Sequence, residues 1–235
     1  FTPSVAVYRN GFALPAGSYT LSYSFHPADG SASGDTTGTF VSGVTSFTEA
    51  GEYTIYASGS GNFSGAAGST VFTILPKSIA EGDATGGTLP VDVTLTEQSF
   101  VYDGTARQAG VQATYTASEG GTAAALTQNQ DYTLAYRGHT DAGTATVTVT
   151  GKGNYTCSRE LAYTIERKTV TVTVNATTKV YGTNDPEHTY ACSDGDEKPM
   201  SLTLTGRVGR KAGENAGEYA FTLDGSSTLS AGSNY

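Results

Sequence analysis

The stretch that decides the fold reads Ala-Thr-Val-Thr-Val-Thr at residues 145–150, and Val-Thr-Val-Thr-Val follows at residues 170–174. Apolar and hydroxyl side chains alternate with a period of two, which places them on opposite faces of an extended strand. One face can then pack on a core while the other meets water, as in an antiparallel sheet. Residues 19–25 and 132–136 alternate in the same way. We therefore predict an all-β chain with almost no helix.

Composition supports this interpretation and excludes two classes of function. The 235 residues include 30 Gly and 15 Tyr but no Trp, and only 15% of them are charged. Val, Thr and Tyr suit a pleated surface, while Gly supplies turns. The net charge of −9 gives no positive field for nucleic acid, and no apolar run reaches the length of a membrane helix. We expect no nucleic-acid partner and no membrane insertion in this segment.

Short motifs recur along the chain and indicate internal repeats. An Ala-Gly pair precedes three similar segments, at residues 50–51, 142–143 and 216–217. An Asn followed by an aromatic residue ends three others, at residues 61–63, 153–155 and 233–235. The predicted closing strands Phe72-Thr73-Ile74 and Tyr163-Thr164-Ile165 lie about 90 residues apart, which is the size of one β-sandwich domain.

Two groups of motifs carry a family resemblance. In the middle of the chain they occupy residues 102–106, 131–133, 141–145 and 151–155. This group resembles the immunoglobulin-like repeats of bacterial surface proteins. In the last third of the chain they occupy residues 178–182, 184–186, 213–219 and 230–235. This second group resembles an MBG-type domain, a mostly-β adhesin repeat.

The repeats and the resemblance together predict three tandem immunoglobulin-like antiparallel β-sandwiches in an extended rod of order 100 Å. Repeat 1 (residues 1–76) is expected to lack its first strand. Repeat 2 (residues 77–166) is expected to be a complete immunoglobulin-like domain, and repeat 3 (residues 167–235) an MBG-type sandwich without its closing strand. Because an unfilled sheet edge can pair with another chain, edge-strand pairing between chains is one expected interaction.

The resemblance implies a mechanical function. Repeats of this kind act as spacers in large secreted or wall-attached proteins, so we expect a non-catalytic stalk that projects a binding head from a bacterial cell surface. Its partners are then the neighbouring repeats of the same chain. Two other classes stay open: a module that binds host glycan or protein directly, and an accessory segment of a secreted carbohydrate-active enzyme. The tyrosines left over from core packing, which a glycan site would use, are Tyr102, Tyr115, Tyr181 and Tyr190.

The sequence predicts no catalytic residue, no cofactor and no diagnostic metal motif. Oxygen-rich loops can hold Ca²⁺, although the spacing of an EF-hand is not met. The candidate calcium ligands are Asp185, Asp194, Asp196 and Glu197. The two cysteines, Cys157 and Cys192, leave two alternatives open. They either stay free thiols or form a disulfide bond, which would stabilise the chain by about 3–4 kcal/mol.

Overall fold

The computed structural model describes residues 1–30, 36–84, 89–223 and 229–235. Within these ranges the regular structure is β-strand, with a single-turn 3₁₀ helix at Gly61–Phe63 and no α-helix. The all-β prediction is therefore confirmed. No helix in the described ranges has the length and apolar character needed to cross a membrane.

The strands are short and follow the three repeats. Those described in repeat 1 are β1 (Tyr8–Arg9), β2 (Phe12–Ala13), β3 (Tyr19–Pro27), β4 (Thr36–Thr39), β5 (Gly51–Gly59) and β6 (Ala67–Ile74). Those in repeat 2 are β7 (Lys77–Ser78), β8 (Asp92–Leu95), β9 (Ser99–Val101), β10 (Val111–Tyr115), β11 (Ala124–Ala125), β12 (Tyr132–Arg137), β13 (Gly143–Gly151), β14 (Tyr155–Thr156) and β15 (Ser158–Glu166). Those in repeat 3 are β16 (Val170–Val174), β17 (Tyr190–Asp194), β18 (Pro199–Met200), β19 (Val208–Arg210) and β20 (Phe221–Leu223).

Packing divides the chain into two compact units. The first contains Phe1–Leu95, Val111–Ala135 and Thr148–Leu161. The second contains Thr96–Gly110, Tyr136–Val147 and Ala162–Tyr235. Three of the five boundaries fall within β12, β13 and β15, and the other two fall at the end of β8 and the start of β10, so repeat 2 contributes residues to both units. The division into three domains remains a prediction.

Repeat 1 forms a four-stranded antiparallel sheet in the order β4-β3-β5-β6. The alternation predicted for residues 19–25 places Leu21 in the core, and Tyr53 and Ile55 of β5 join it. Tyr53 stacks on Phe72 of β6, with ring centroids 5.0 Å apart. Aromatic side chains make up much of this core, whereas four others of repeat 1 are exposed: Phe1, Tyr8, Phe12 and Tyr56.

Repeat 2 contains two sheets, in the orders β11-β10-β8 and β12-β13-β15-β9. Within the first unit, side chains from both sheets share one hydrophobic cluster. Val93 and Ala113 come from one sheet, and Tyr132 and Val149 from the other. Val147 and Val149 of the alternating run are fully buried, as the period of two predicts.

The predicted antiparallel pairing holds for most of the described strand pairs but is wrong for two of them. β14 pairs in parallel with β7, and β15 pairs in parallel with β9 through Thr164, Ile165 and Glu166. A parallel pair needs a connection of a dozen or more residues. The rest of repeat 2 lies between β9 and β15 and provides that connection.

Repeat 3 has smaller sheets. β16, β17 and β18 form one antiparallel sheet, and β19 pairs with β20. An isolated bridge joins Thr205 to Ser230, which ties the segment after β18 to the C-terminal corner.

Candidate functional site

A pair of side-chain hydrogen bonds joins the Asn154 corner of repeat 2 to the turn before β5 of repeat 1. Gly153 takes a left-handed conformation with a φ of 62°, which glycine adopts without steric cost in the tight corner that carries Asn154. The Asn154 Oδ1 accepts the Ala50 N–H at 2.5 Å, and its Nδ2 donates to Glu49 Oε2 at 2.8 Å. The Asn154 carbonyl also accepts the N–H of Lys77, just after repeat 1 ends, at 2.8 Å.

The same arrangement recurs between repeats 2 and 3. The Asn234 Oδ1 accepts the Ala142 N–H at 2.8 Å, and its Nδ2 donates to Asp141 Oδ1 at 3.0 Å. The Asn234 carbonyl accepts the N–H of Lys168, in the short connection after β15, at 3.0 Å. We call each arrangement an asparagine clamp: a corner Asn, an acidic-Ala turn of the preceding repeat, and the lysine N–H after that repeat.

Each asparagine clamp lies within one compact unit and uses both ends of the side-chain amide. Only a group with an acceptor and a donor can satisfy a backbone N–H and an acidic oxygen together. Asn154 and Asn234 are both half-buried, and Ala50 is buried. Buried polar groups without partners cost free energy, so the clamps are structural contacts between successive repeats.

A second feature is an ionic cluster in repeat 3. Arg210 holds Asp185 with two hydrogen bonds, Nε to Oδ2 at 3.0 Å and Nη2 to Oδ1 at 2.8 Å. Lys179 Nζ lies 2.7 Å from Asp185 Oδ1 and 2.9 Å from Glu214 Oε2. The Arg210 Nη2 also donates to Glu214 Oε1 at 2.8 Å. Two cations and two carboxylates therefore neutralise one another.

The ionic cluster shifts the pKa values of its members. Hydrogen bonds from Arg210, and then from Lys179, lower the pKa of Asp185 to about 2. Hydrogen bonds from Lys179 and Arg210 also lower the pKa of Glu214. The carboxylates in turn raise the pKa of Lys179 and of Arg210, with Asp185 the larger cause for each. All four groups are therefore charged at neutral pH, and the opposite charges favour one another.

The ionic cluster borders a cavity of about 550 Å³. Tyr181, whose exposed fraction is 74%, and His188 line the same cavity. The Arg210 guanidinium carbon lies 4.9 Å from the centroid of the Tyr219 ring. The cavity therefore combines aromatic faces with groups that can bind hydroxyls, and the four charges of the ionic cluster already pair with one another.

The four candidate calcium ligands have different partners. Asp185 belongs to the ionic cluster. Asp194 pairs with Lys168 Nζ at 3.2 Å and accepts the backbone N–H groups of Asp196 and Lys198. Asp196 and Glu197 are exposed in the turn between β17 and β18. Among the described residues, no group of three His, Cys, Asp or Glu side chains is placed to hold a metal ion.

The cysteines are both free thiols in the structure. Cys157 is exposed and takes a left-handed conformation with a φ of 66°, whereas Cys192 of β17 is buried. The structure therefore contains no disulfide bond between these two residues.

Of the tyrosines considered for a glycan site, Tyr181 is the one that stays exposed. Tyr190 accepts the Leu204 N–H through its hydroxyl at 2.9 Å. Tyr115 packs against the core of repeat 2. Tyr102 makes an edge contact with the ring of Tyr235, 5.5 Å between centroids.

Both halves of the asparagine clamp are visible in the sequence as separate repeated motifs, but their pairing was not predicted. The available signal was their order: each Asn-aromatic corner follows the Ala-Gly turn of the preceding repeat at a similar distance. The ionic cluster was not predicted. Lys179 and Asp185 lie in motifs that indicated only the family resemblance, and Arg210 lies outside those motifs.

Comparison with known families identifies the last part of the chain. Residues 170–235 match the family model of the MBG domain (YGX type). This match confirms the MBG-type assignment predicted for repeat 3 and indicates a module of bacterial surface proteins. The ionic cluster and its cavity lie within the MBG domain. No curated protein and no solved structure matches the chain, so the immunoglobulin-like character of residues 1–166 remains a prediction.

Proposed function

We propose that this chain is a non-catalytic stalk segment of a large secreted or cell-surface bacterial protein, and that it projects an adhesive head away from the cell. The observation that carries the proposal is the asparagine clamp, which recurs with the same partners at two successive junctions. A spacer needs each repeat to be fixed to the next, and these contacts have no evident use in catalysis or ligand binding.

The connections between repeats support the same function. Leu75 and Pro76 separate β6 from β7, and Arg167–Thr169 separate β15 from β16. Connections this short limit the freedom of one repeat relative to its neighbour. The lysine that follows each preceding repeat then donates its N–H to the clamp asparagine. A net charge of −9 keeps such a segment soluble and discourages nonspecific adhesion.

Small-angle scattering of the purified chain tests the stalk. Three repeats in line, about 100 Å long, give a radius of gyration of about 30 Å. A single compact globule of this length gives about 17 Å. A value near the lower figure would contradict the proposal, and a value near the higher one supports it.

A second candidate function is direct binding of a glycan in the cavity of the MBG domain. The exposed ring of Tyr181 favours it, because an aromatic face can stack on a sugar ring. A glycan array distinguishes the two functions. Specific binding that is lost in Tyr181→Ala would favour the binding module, and an array without specific signal would favour the stalk.

A further inference from the structure

The MBG domain carries a third copy of the turn that the asparagine clamp holds. Asn215, Ala216 and Gly217 stand in the positions of Glu49, Ala50 and Gly51 in repeat 1. In each turn, a tyrosine four residues after the Glu49 or Asn215 position donates a hydrogen bond to the backbone carbonyl of that residue. The Tyr53 hydroxyl donates to the Glu49 carbonyl at 3.0 Å, and the Tyr219 hydroxyl donates to the Asn215 carbonyl at 2.8 Å.

The third turn differs from the other two in its surroundings. Ala50 is buried and Ala142 is half-buried beneath their clamps, whereas Ala216 is exposed. Within the described residues, the N–H of Ala216 and the side chain of Asn215 have no hydrogen-bond partner. The Asn215 side chain offers the oxygen that Glu49 and Asp141 offer in the clamps, so both groups that a clamp binds are present and open.

Repeat 1 contains the other half of a clamp, a corner asparagine, which also lacks a hydrogen-bond partner among the described residues. Gly61 has a φ of 57°, close to the 62° of Gly153, and both turns close with an N–H to carbonyl bond of 3.1 Å across three residues. The two corners therefore share a backbone conformation. Asn62 is exposed, however, and its side chain has no partner among the described residues.

We propose that residues 215–217 are the docking turn for the Asn-aromatic corner of a further module of this kind, joined in tandem after the MBG domain. This inference rests on the proposed stalk function and names the partner of its next junction. The corner amide of that module would accept the Ala216 N–H and donate to the Asn215 side-chain oxygen.

The strength of the contact points to a tethered partner and not to a separate protein. The net contribution of each hydrogen bond is small, because the same groups bind water when they are apart. Two such bonds do not offset the translational and rotational freedom that a separate protein loses on binding. A covalent connection raises the effective concentration and removes most of that cost. The clamp then orients covalently connected modules but is too weak to bind a separate protein by itself.

An extended chain tests the proposal. A second copy of residues 156–235 is appended after Tyr235, because in the natural sequence residue 156 follows the equivalent corner, Asn154-Tyr155. The appended copy supplies a closing strand, the short connection and a new corner asparagine. Amide hydrogen exchange at Ala216, read by NMR, should slow by about tenfold relative to the unextended chain. The Ala142 amide, already in a clamp, serves as the internal reference.

The matched control is the same extended chain with Asn234→Ala in the appended copy only. Protection of Ala216 that disappears in this variant supports the clamp. Exchange at Ala216 that is unchanged by the extension, or slowed equally with and without the appended asparagine, would overturn it.

A second variant does not depend on the extension. Glu49→Asn turns the first clamp into the Asn-Ala-Gly form found at residues 215–217. Exchange of the Ala50 amide should stay within about twofold of the natural chain, since the asparagine oxygen replaces the carboxylate oxygen. Loss of Ala50 protection in Glu49→Asn would overturn the proposal. Scattering of the unextended chain reports on the stalk alone, so failure of the clamp and failure of the stalk are distinguishable.

Discussion

At the scale of single residues, the side-chain amide of asparagine makes the hydrogen bonds that recur at both repeat junctions. Its oxygen accepts a backbone N–H and its nitrogen donates to a side-chain oxygen, so one short side chain satisfies two groups. Aspartate in the same place would only accept, and alanine would do neither. Asn154 and Asn234 each fill this role, and Asn62 is the same residue type in an open position.

Replacement of Asn154 by alanine should destabilise the chain. Asn154→Ala leaves the N–H of buried Ala50 without a partner, so we expect the free energy of unfolding to fall by about 1–3 kcal/mol. Urea unfolding followed by circular dichroism measures the change. The matched control is Asn62→Ala, which removes an exposed amide and should change the free energy by less than about 0.5 kcal/mol. Equal losses in the two variants would contradict the role assigned to Asn154.

The two thiols should react differently with a thiol reagent. Cys157 is exposed and Cys192 is buried, and accessibility governs thiol reactivity along with pKa. Without reductant, we expect the native chain to take up one label, at Cys157, and the denatured chain to take up two. Mass spectrometry of the labelled peptides locates them. A denatured chain that takes up no label would show that the cysteines are paired.

At the scale of elements, the turn before each long strand combines close packing with the clamp. Gly51 begins β5 and lies against the backbone of His26 in the neighbouring strand β3. A Cβ there would collide with the His26 carbonyl oxygen and the Phe25 ring. At Gly217, the equivalent position in the MBG domain, nothing lies within 4 Å of the Cβ position. The same motif is therefore sterically constrained in one repeat and open in another.

Alanine substitutions at these two glycines should have different effects. Gly51→Ala forces β3 and β5 apart, and we expect a loss of about 2 kcal/mol or more in the free energy of unfolding. Gly217→Ala meets open space and should be close to neutral. Thermal unfolding of both variants beside the natural chain makes the comparison. A Gly51→Ala protein as stable as Gly217→Ala would show that β3 and β5 do not approach as described.

We expect the ionic cluster to make the stability of the MBG domain depend on pH in the acid range. The pKa of Asp185 falls from its ordinary 3.8 to about 2, and that of Glu214 lies below its ordinary 4.5. A carboxylate whose folded-state pKa is depressed stabilises the fold above its unfolded pKa and loses that contribution as pH falls towards the folded value. The contribution should be complete above about pH 4.5 and should decline between pH 4.5 and 2.

Carboxyl-carbon NMR titration checks this prediction directly, and Arg210→Gln provides the comparison. Without the guanidinium, the pKa of Asp185 should rise towards its ordinary value, and the acid-dependent part of the stability should shrink. An Asp185 that titrates near 3.8 in the natural protein would contradict the arrangement.

At the scale of the whole molecule, local sequence patterns predicted which residues form strands but did not predict which distant segments pair. The alternation at residues 145–150 and 170–174 correctly predicted strands, because period two depends only on neighbouring residues. The motifs of residues 178–235 correctly predicted the MBG domain. The strands β9 and β15 lie far apart in sequence, and so do Asn154 and its hydrogen-bond partners. A pattern of neighbouring residues cannot predict which distant residues come into contact. The charges of the ionic cluster are likewise brought together by the fold alone.

The two asparagine clamps should act independently. They share no residue and belong to different compact units. Asn154→Ala should speed amide exchange at Ala50 and leave Ala142 unchanged, and Asn234→Ala should do the reverse. Hydrogen exchange of both amides in the two variants measures this. Crossed effects, with Ala142 deprotected by Asn154→Ala, would mean that the repeats unfold as one cooperative body.

The asparagines of the clamps are open to slow chemical modification. Asparagine is among the less durable side chains, because its amide hydrolyses slowly to a carboxylate. Hydrolysis of the Asn154 amide would place a negative charge beside Glu49, and hydrolysis of the Asn234 amide would place one beside Asp141. The side-chain hydrogen bond in each clamp would then be replaced by repulsion between two carboxylates. In the proposed stalk, this ageing would weaken the asparagine clamps one after another, while each folded repeat stayed intact.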